Sequence, residues 1–124
     1  MVTIDKVEQI LNELVDALPK EIFKSLNGGV VLLPDRKYNE VARNNDLIVL
    51  GEYYRSNTLG RYIKIYYGSI IEKYGHLEED KLKNKLDKVL KHELTHHLES
   101  LAGERDLEKE DLKFISRYLQ RFDR

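Results

Sequence analysis

A chain of 124 residues can close one hydrophobic core but is too short for two ordinary domains, so a single domain over 1–124 is expected. Hydrophobic residues make up 41% and charged ones 35%, and 21 basic against 22 acidic side chains leave a net charge of −1, which gives no field drawing the chain to nucleic acid or an anionic membrane. Cysteine is absent, which excludes disulfides, thiolate metal sites and a cysteine nucleophile; with no basic-then-apolar leader and no 18-residue apolar run, a soluble protein of the cytoplasm is expected.

Ile4, Val7, Leu11, Leu14, Val15 and Leu18 recur at helical spacing and Pro19 ends the run, so 4–18 is predicted helical, with Asp5 and Glu8 as a capping box. Residues 20–27 add a short helical turn. Gly29 to Leu33 is rich in β-branched residues and reads as a strand covered on both sides. Residues 35–46 are polar and read as a loop with one helical turn around Tyr38 to Arg43. Leu47 to Tyr54 is a second predicted strand, 55–60 a turn, and Arg61 to Tyr67 a third strand, antiparallel to the second. Ile63 and Ile65 face one side of that strand, and Tyr62, Lys64 and Tyr66 the other. The tyrosines of this hairpin read as rim packing and its basic residues as a solvated face. Gly68 to Tyr74 forms a short helix ended by Gly75, and His76 follows as an ordinary surface histidine. A long helix is predicted from Glu78 to Leu101 with Gly103 as its stop, then a last helix with Leu107, Leu112, Ile115, Leu119 and Phe122.

The long helix carries the chemistry. Its sequence from Leu90 to Glu99 is LKHELTHHLE, and three of the four histidines lie within six positions. His-Glu-x-x-His on a helix sets two imidazoles one turn apart on one side, with a carboxylate able to reach a water held by the same metal. The apolar arc of Leu82, Leu86, Val89, Leu90, Leu94, Leu98 and Leu101 leaves His92 and His96 on its flank, with Glu99 beside them. Glu93 falls inside that arc, where an acid is costly unless something receives it. His97 falls at its middle and reads as a buried, hydrogen-bonded histidine.

A catalytic zinc takes three protein ligands and keeps one position open. His92 and His96 supply two; the third is sought among Asp106, Glu99, Glu104, Glu108 and Glu110. Glu99 shares the rigid helix with both histidines and suits an outer acceptor better than a ligand. Asp106 follows the Gly103 turn, where the chain can fold back, and competes for the role of N-cap to the last helix. Glu93 is the expected general base in hydrolysis of a carbonyl. Tyr66, Tyr67 and His97 are candidate oxyanion donors among which the sequence does not choose.

From Leu90 to Asp111, and back through LGRYIKIYYGSI, the chain resembles the small bacterial metallopeptidase-like proteins known as minimal zincins. The resemblance implies an α+β domain: a small mixed sheet of three to four strands on an N-terminal helix and a long active-site helix, followed by a C-terminal helix. It implies one Zn2+ ion held by His92, His96 and Asp106, with Glu93 as base, and peptide or unfolded protein segments as substrates. It also implies that Tyr62 to Tyr67 forms the sheet edge beside the active-site helix, where an extended peptide aligns by backbone pairing. In that family a glycine falls three residues after the second histidine and an aspartate three further on. Here Glu99 takes the glycine's place and the Gly-x-x-Asp element stands four residues later, at Gly103 to Asp106. So small a domain has little material for substrate walls, which leaves a role for a protein partner or a second copy in completing specificity. The leading expectation is a zinc-dependent peptidase. The alternatives are a zinc protein whose metal serves the fold or a protein-binding surface, and a metal-free interaction domain.

Overall fold

The structure, a computed structural model, describes residues 1–39, 47–104 and Arg117. Helix α1 spans Ile4–Asp16 and buries Val7, Ile10, Leu11 and Leu14. Its cap is Thr3 rather than an Asp5–Glu8 box: the Thr3 hydroxyl accepts the Lys6 N–H at 3.2 Å, and Asp5 already lies within the helix. A 3-10 turn, Lys20–Phe23, then carries Ile22 into the core.

Five strands follow: β1 (Gly29–Leu33), β2 (Lys37–Tyr38), β3 (Ile48–Val49), β4 (Gly51–Ser56) and β5 (Gly60–Tyr66). β1, β5 and β4 form a mixed sheet in that order, β1 parallel and β4 antiparallel to β5, while β2 and β3 pair as a separate antiparallel ribbon. The expected single strand over 47–54 is thus divided at Leu50, because its two halves have different partners. Of the helical turn expected near 38–43, Tyr38 lies in a strand and 40–43 are outside the described residues. β1 is covered on one side only, since Val31 is 38% exposed. In the β4–β5 hairpin Gly60 has φ +75, the left-handed conformation that closes a three-residue loop.

β5 buries Ile63 and Ile65 completely. On its other face Tyr62 stacks on Tyr54 at 5.5 Å, with Lys64 Nζ 4.6 Å from the Tyr54 ring. β5 is the central strand, so the edge expected at Tyr62 to Tyr67 belongs instead to β4. The hairpin places β4 on the outside because β1 has already paired with the opposite side of β5.

Helix α2 spans Tyr67–Tyr74, and α3 spans Glu79–Glu104. α3 runs through Gly103, which therefore does not end it. Leu82, Leu86, Leu90, Leu94, Leu98 and Leu101 form a fully buried stripe along α3, which packs on β4, β5 and α1. The result is an α+β domain. No described helix is long and apolar enough to cross a membrane. The final helix expected over 107–122 lies outside the described residues, apart from Arg117.

Candidate functional site

The leucine stripe fixes the rotation of α3, and that rotation sorts the three histidines and the glutamate of its central turns. His92 and His96 emerge exposed, whereas Glu93 is 6% exposed and His97 fully buried. Edge strand β4 lies over this flank, and an open cleft of about 680 Å3 forms between them. Gly51, Glu52 and Tyr53 face His92, Glu93, His96 and Glu99 across it. Gly51 permits the close approach: a Cβ there would stand 3.0 Å from Ile65 Cδ1 and 3.3 Å from Val89 Cγ1.

The His92 and His96 rings meet at nearly a right angle, 88°, with their Nε2 atoms 3.2 Å apart. Two nitrogens bound tetrahedrally to one zinc at about 2.0–2.1 Å would be separated by roughly 3.3 Å, so the distance between the pair is compatible with a shared ion. One ring N–H donating to the other gives the same distance in the absence of metal. Among the described residues no group of three His, Asp or Glu side chains forms a ligand set. Glu99, on the same helix, lines the cleft. Asp106, Glu108 and Glu110 lie outside the described residues, and the Glu104 side chain is likewise not described.

Burial pushes the Glu93 carboxyl above its ordinary value; the two imidazoles beside it pull the other way, and Glu52 across the cleft adds to the rise. A base of raised pKa accepts a proton more readily than an exposed glutamate. Glu52 itself is held low. Burial works against its charge, but hydrogen bonds from Lys37, Tyr66 and Tyr54 outweigh that. Lys37 Nζ contacts Glu52 Oε1, and the Tyr66 hydroxyl donates to the same oxygen at 2.7 Å. Of this Lys37–Glu52–Tyr66 group Glu52 lines the cleft; the group carries no periodic pattern in the sequence, and its members come together only in the folded chain.

The three oxyanion-donor candidates all have other partners. The Tyr66 hydroxyl serves Glu52, and the Tyr67 hydroxyl donates to the Val2 carbonyl at 2.6 Å. His97 Nε2 lies 2.8 Å from the Lys24 carbonyl, which can only accept, so Nε2 carries the proton and Nδ1 accepts from the Tyr53 hydroxyl at 2.9 Å. His97 therefore ties β4 and the segment after the 3-10 turn to α3. Burial holds its pKa below the ordinary histidine value and keeps it neutral.

No family model and no curated protein matches the chain. Among solved structures it is similar to a conserved hypothetical protein from Thermo thermophilus, with a TM-score of 0.71 and 31% identity over 82% of this chain and 99% of the other. At that identity and near-complete coverage of the relative, the chain belongs to the family of this Thermo thermophilus protein.

Proposed function

We propose that the protein is a zinc-dependent peptidase acting on peptides or unfolded protein segments. The observation that carries this reading is the 3.2 Å convergence of His92 and His96 Nε2 beside the buried carboxylate of Glu93. The two histidines would hold the ion, with Asp106 proposed as the third ligand. When bound, zinc would polarise the substrate carbonyl and make a water nucleophilic near neutral pH. Glu93 would take the proton from that water and deliver it to the leaving amine, a task suited to a carboxyl whose pKa burial has raised. β4, the edge strand beside α3 among the described residues, offers backbone groups against which an extended substrate can lie. We place the protein's work in the cytoplasm, in keeping with its cysteine-free composition, and a partner or second copy would add specificity.

The test is Glu93→Gln. Purified wild type should carry one zinc per chain and hydrolyse a mixed peptide library. The variant should keep the zinc and lose turnover by on the order of a hundredfold or more. Absence of stoichiometric metal from metal-replete protein, or full activity in the variant, would overturn the reading.

A further inference from the structure

About one turn before His92, a second cleft of about 420 Å3 opens between α3 and the residues leading into β4. Ile48, Val49, Leu50 and Val89 give it apolar walls, and Tyr74 forms part of its lining. It shares Gly51, His92 and Glu93 with the first cleft, so the two adjoin. Lys85 and Lys88 also border it. Lys85 Nζ lies 5.6 Å over the Tyr74 ring, and Lys88 is exposed. Neither lysine forms an ion pair with a described carboxylate, unlike Lys6, Lys37, Lys83 and Lys91.

An apolar cleft bordered by two lysines that pair with no described carboxylate matches a ligand that brings an apolar side chain and a negative charge together. The helix sets the spacing between them. Lys88 and Lys85 precede His92 by four and seven residues, roughly 6 and 10.5 Å along the axis. An extended peptide advances about 3.3 Å per residue, so the charge belongs roughly two to three residues from the carbonyl held at His92.

We propose that this cleft selects peptides in which an apolar residue is followed, within about three residues, by a carboxylate, and that Lys85 and Lys88 determine that specificity. The proposal rests on reading His92, Glu93 and His96 as a hydrolytic centre and names the substrate class of that centre. The carboxylate can come from a chain terminus or from an Asp or Glu side chain.

Binding is measurable without metal or turnover, by fluorescence anisotropy on chelator-treated protein at low ionic strength. Three labelled, otherwise neutral leucine peptides serve as probes: a free C-terminal acid two residues after the leucine, its C-terminal amide, and an amide with glutamate at that position. Wild type should bind the free acid about tenfold tighter than the neutral amide. Equal tightness for the glutamate peptide means that any carboxylate serves; weak binding of it means that the chain end is read. Lys85→Gln with Lys88→Gln should bring all three peptides to the affinity of the neutral amide, with the far-UV circular dichroism unchanged. Equal binding of the free acid and neutral amide by wild type overturns the proposal. So does discrimination that survives in the folded double variant. Failure to bind zinc or to hydrolyse peptides would instead overturn the hydrolytic reading and leave this binding comparison intact.

Discussion

At the scale of single residues, Glu93 and His97 show opposite relations between burial and purpose. Glu93 is an ionisable group whose charge the fold opposes. Its folded pKa is raised, so the stability it lends is present below about pH 4.5 and is lost as pH rises through the folded value. Glu93→Gln should therefore make the metal-free protein more stable than wild type at neutral pH, by on the order of 1 kcal/mol or a few degrees in Tm. The gain should vanish at acid pH; paired melts at pH 7.5 and below pH 4 would check it. His97 is a packed neutral histidine with both nitrogens satisfied. His97→Ala should cost about 2–4 kcal/mol, through the cavity and the loss of the hydrogen bonds that His97 makes to the Tyr53 hydroxyl and the Lys24 carbonyl. Because the folded pKa of His97 is depressed, the unfolded chain takes up its proton first. The advantage of wild type over the variant should be full above about pH 6.5 and shrink as pH falls, which urea unfolding at two pH values would read.

At the scale of elements, the site is a meeting of one helix and one strand, and Gly51 sets their separation. Gly51→Val would drive a side chain into Ile65, the Lys64 carbonyl and Val89. It should destabilise the fold by about 1–3 kcal/mol and weaken the proposed zinc binding, as titration calorimetry would show. Much of α3 was legible beforehand: the leucine spacing gave the helix and its buried face, and with them the exposure of His92 and His96 and the burial of Glu93 and His97. The strands were legible as segments but not as a sheet. Nothing local in Leu47 to Tyr54 signals that its first residues pair with β2 and the rest with β5. Nor does alternation along β5 say whether it lies at the centre or the edge, since Ile63 and Ile65 would point to the core in either place.

For the whole molecule, the core and the site occupy different surfaces of the same helix. The apolar cluster joins α1, the 3-10 turn, β5, α2 and the buried face of α3, while the two imidazoles stand on the other flank. The fold therefore should not need the proposed ion. Prolonged chelation should leave the far-UV circular dichroism intact and the unfolding transition cooperative, with Tm lowered only by the lost binding energy. Loss of secondary structure on chelation would instead mark a metal that builds the fold.

The sequence by itself determined everything that one turn of helix can encode. That includes the pairing of His92 with His96, the adjacency of Glu93 and the amphipathic stripe that orients them, because helical geometry relates residues three and four apart whatever surrounds them. Tertiary structure decided which strand roofs the site, that Glu52 stands across from Glu93, which partners hold His97, and that Lys85 and Lys88 border an apolar cleft. Those relations join residues tens of positions apart, such as Tyr53 with His97 and Lys24 with His97. They arise from strand pairing and packing, which no local periodicity specifies.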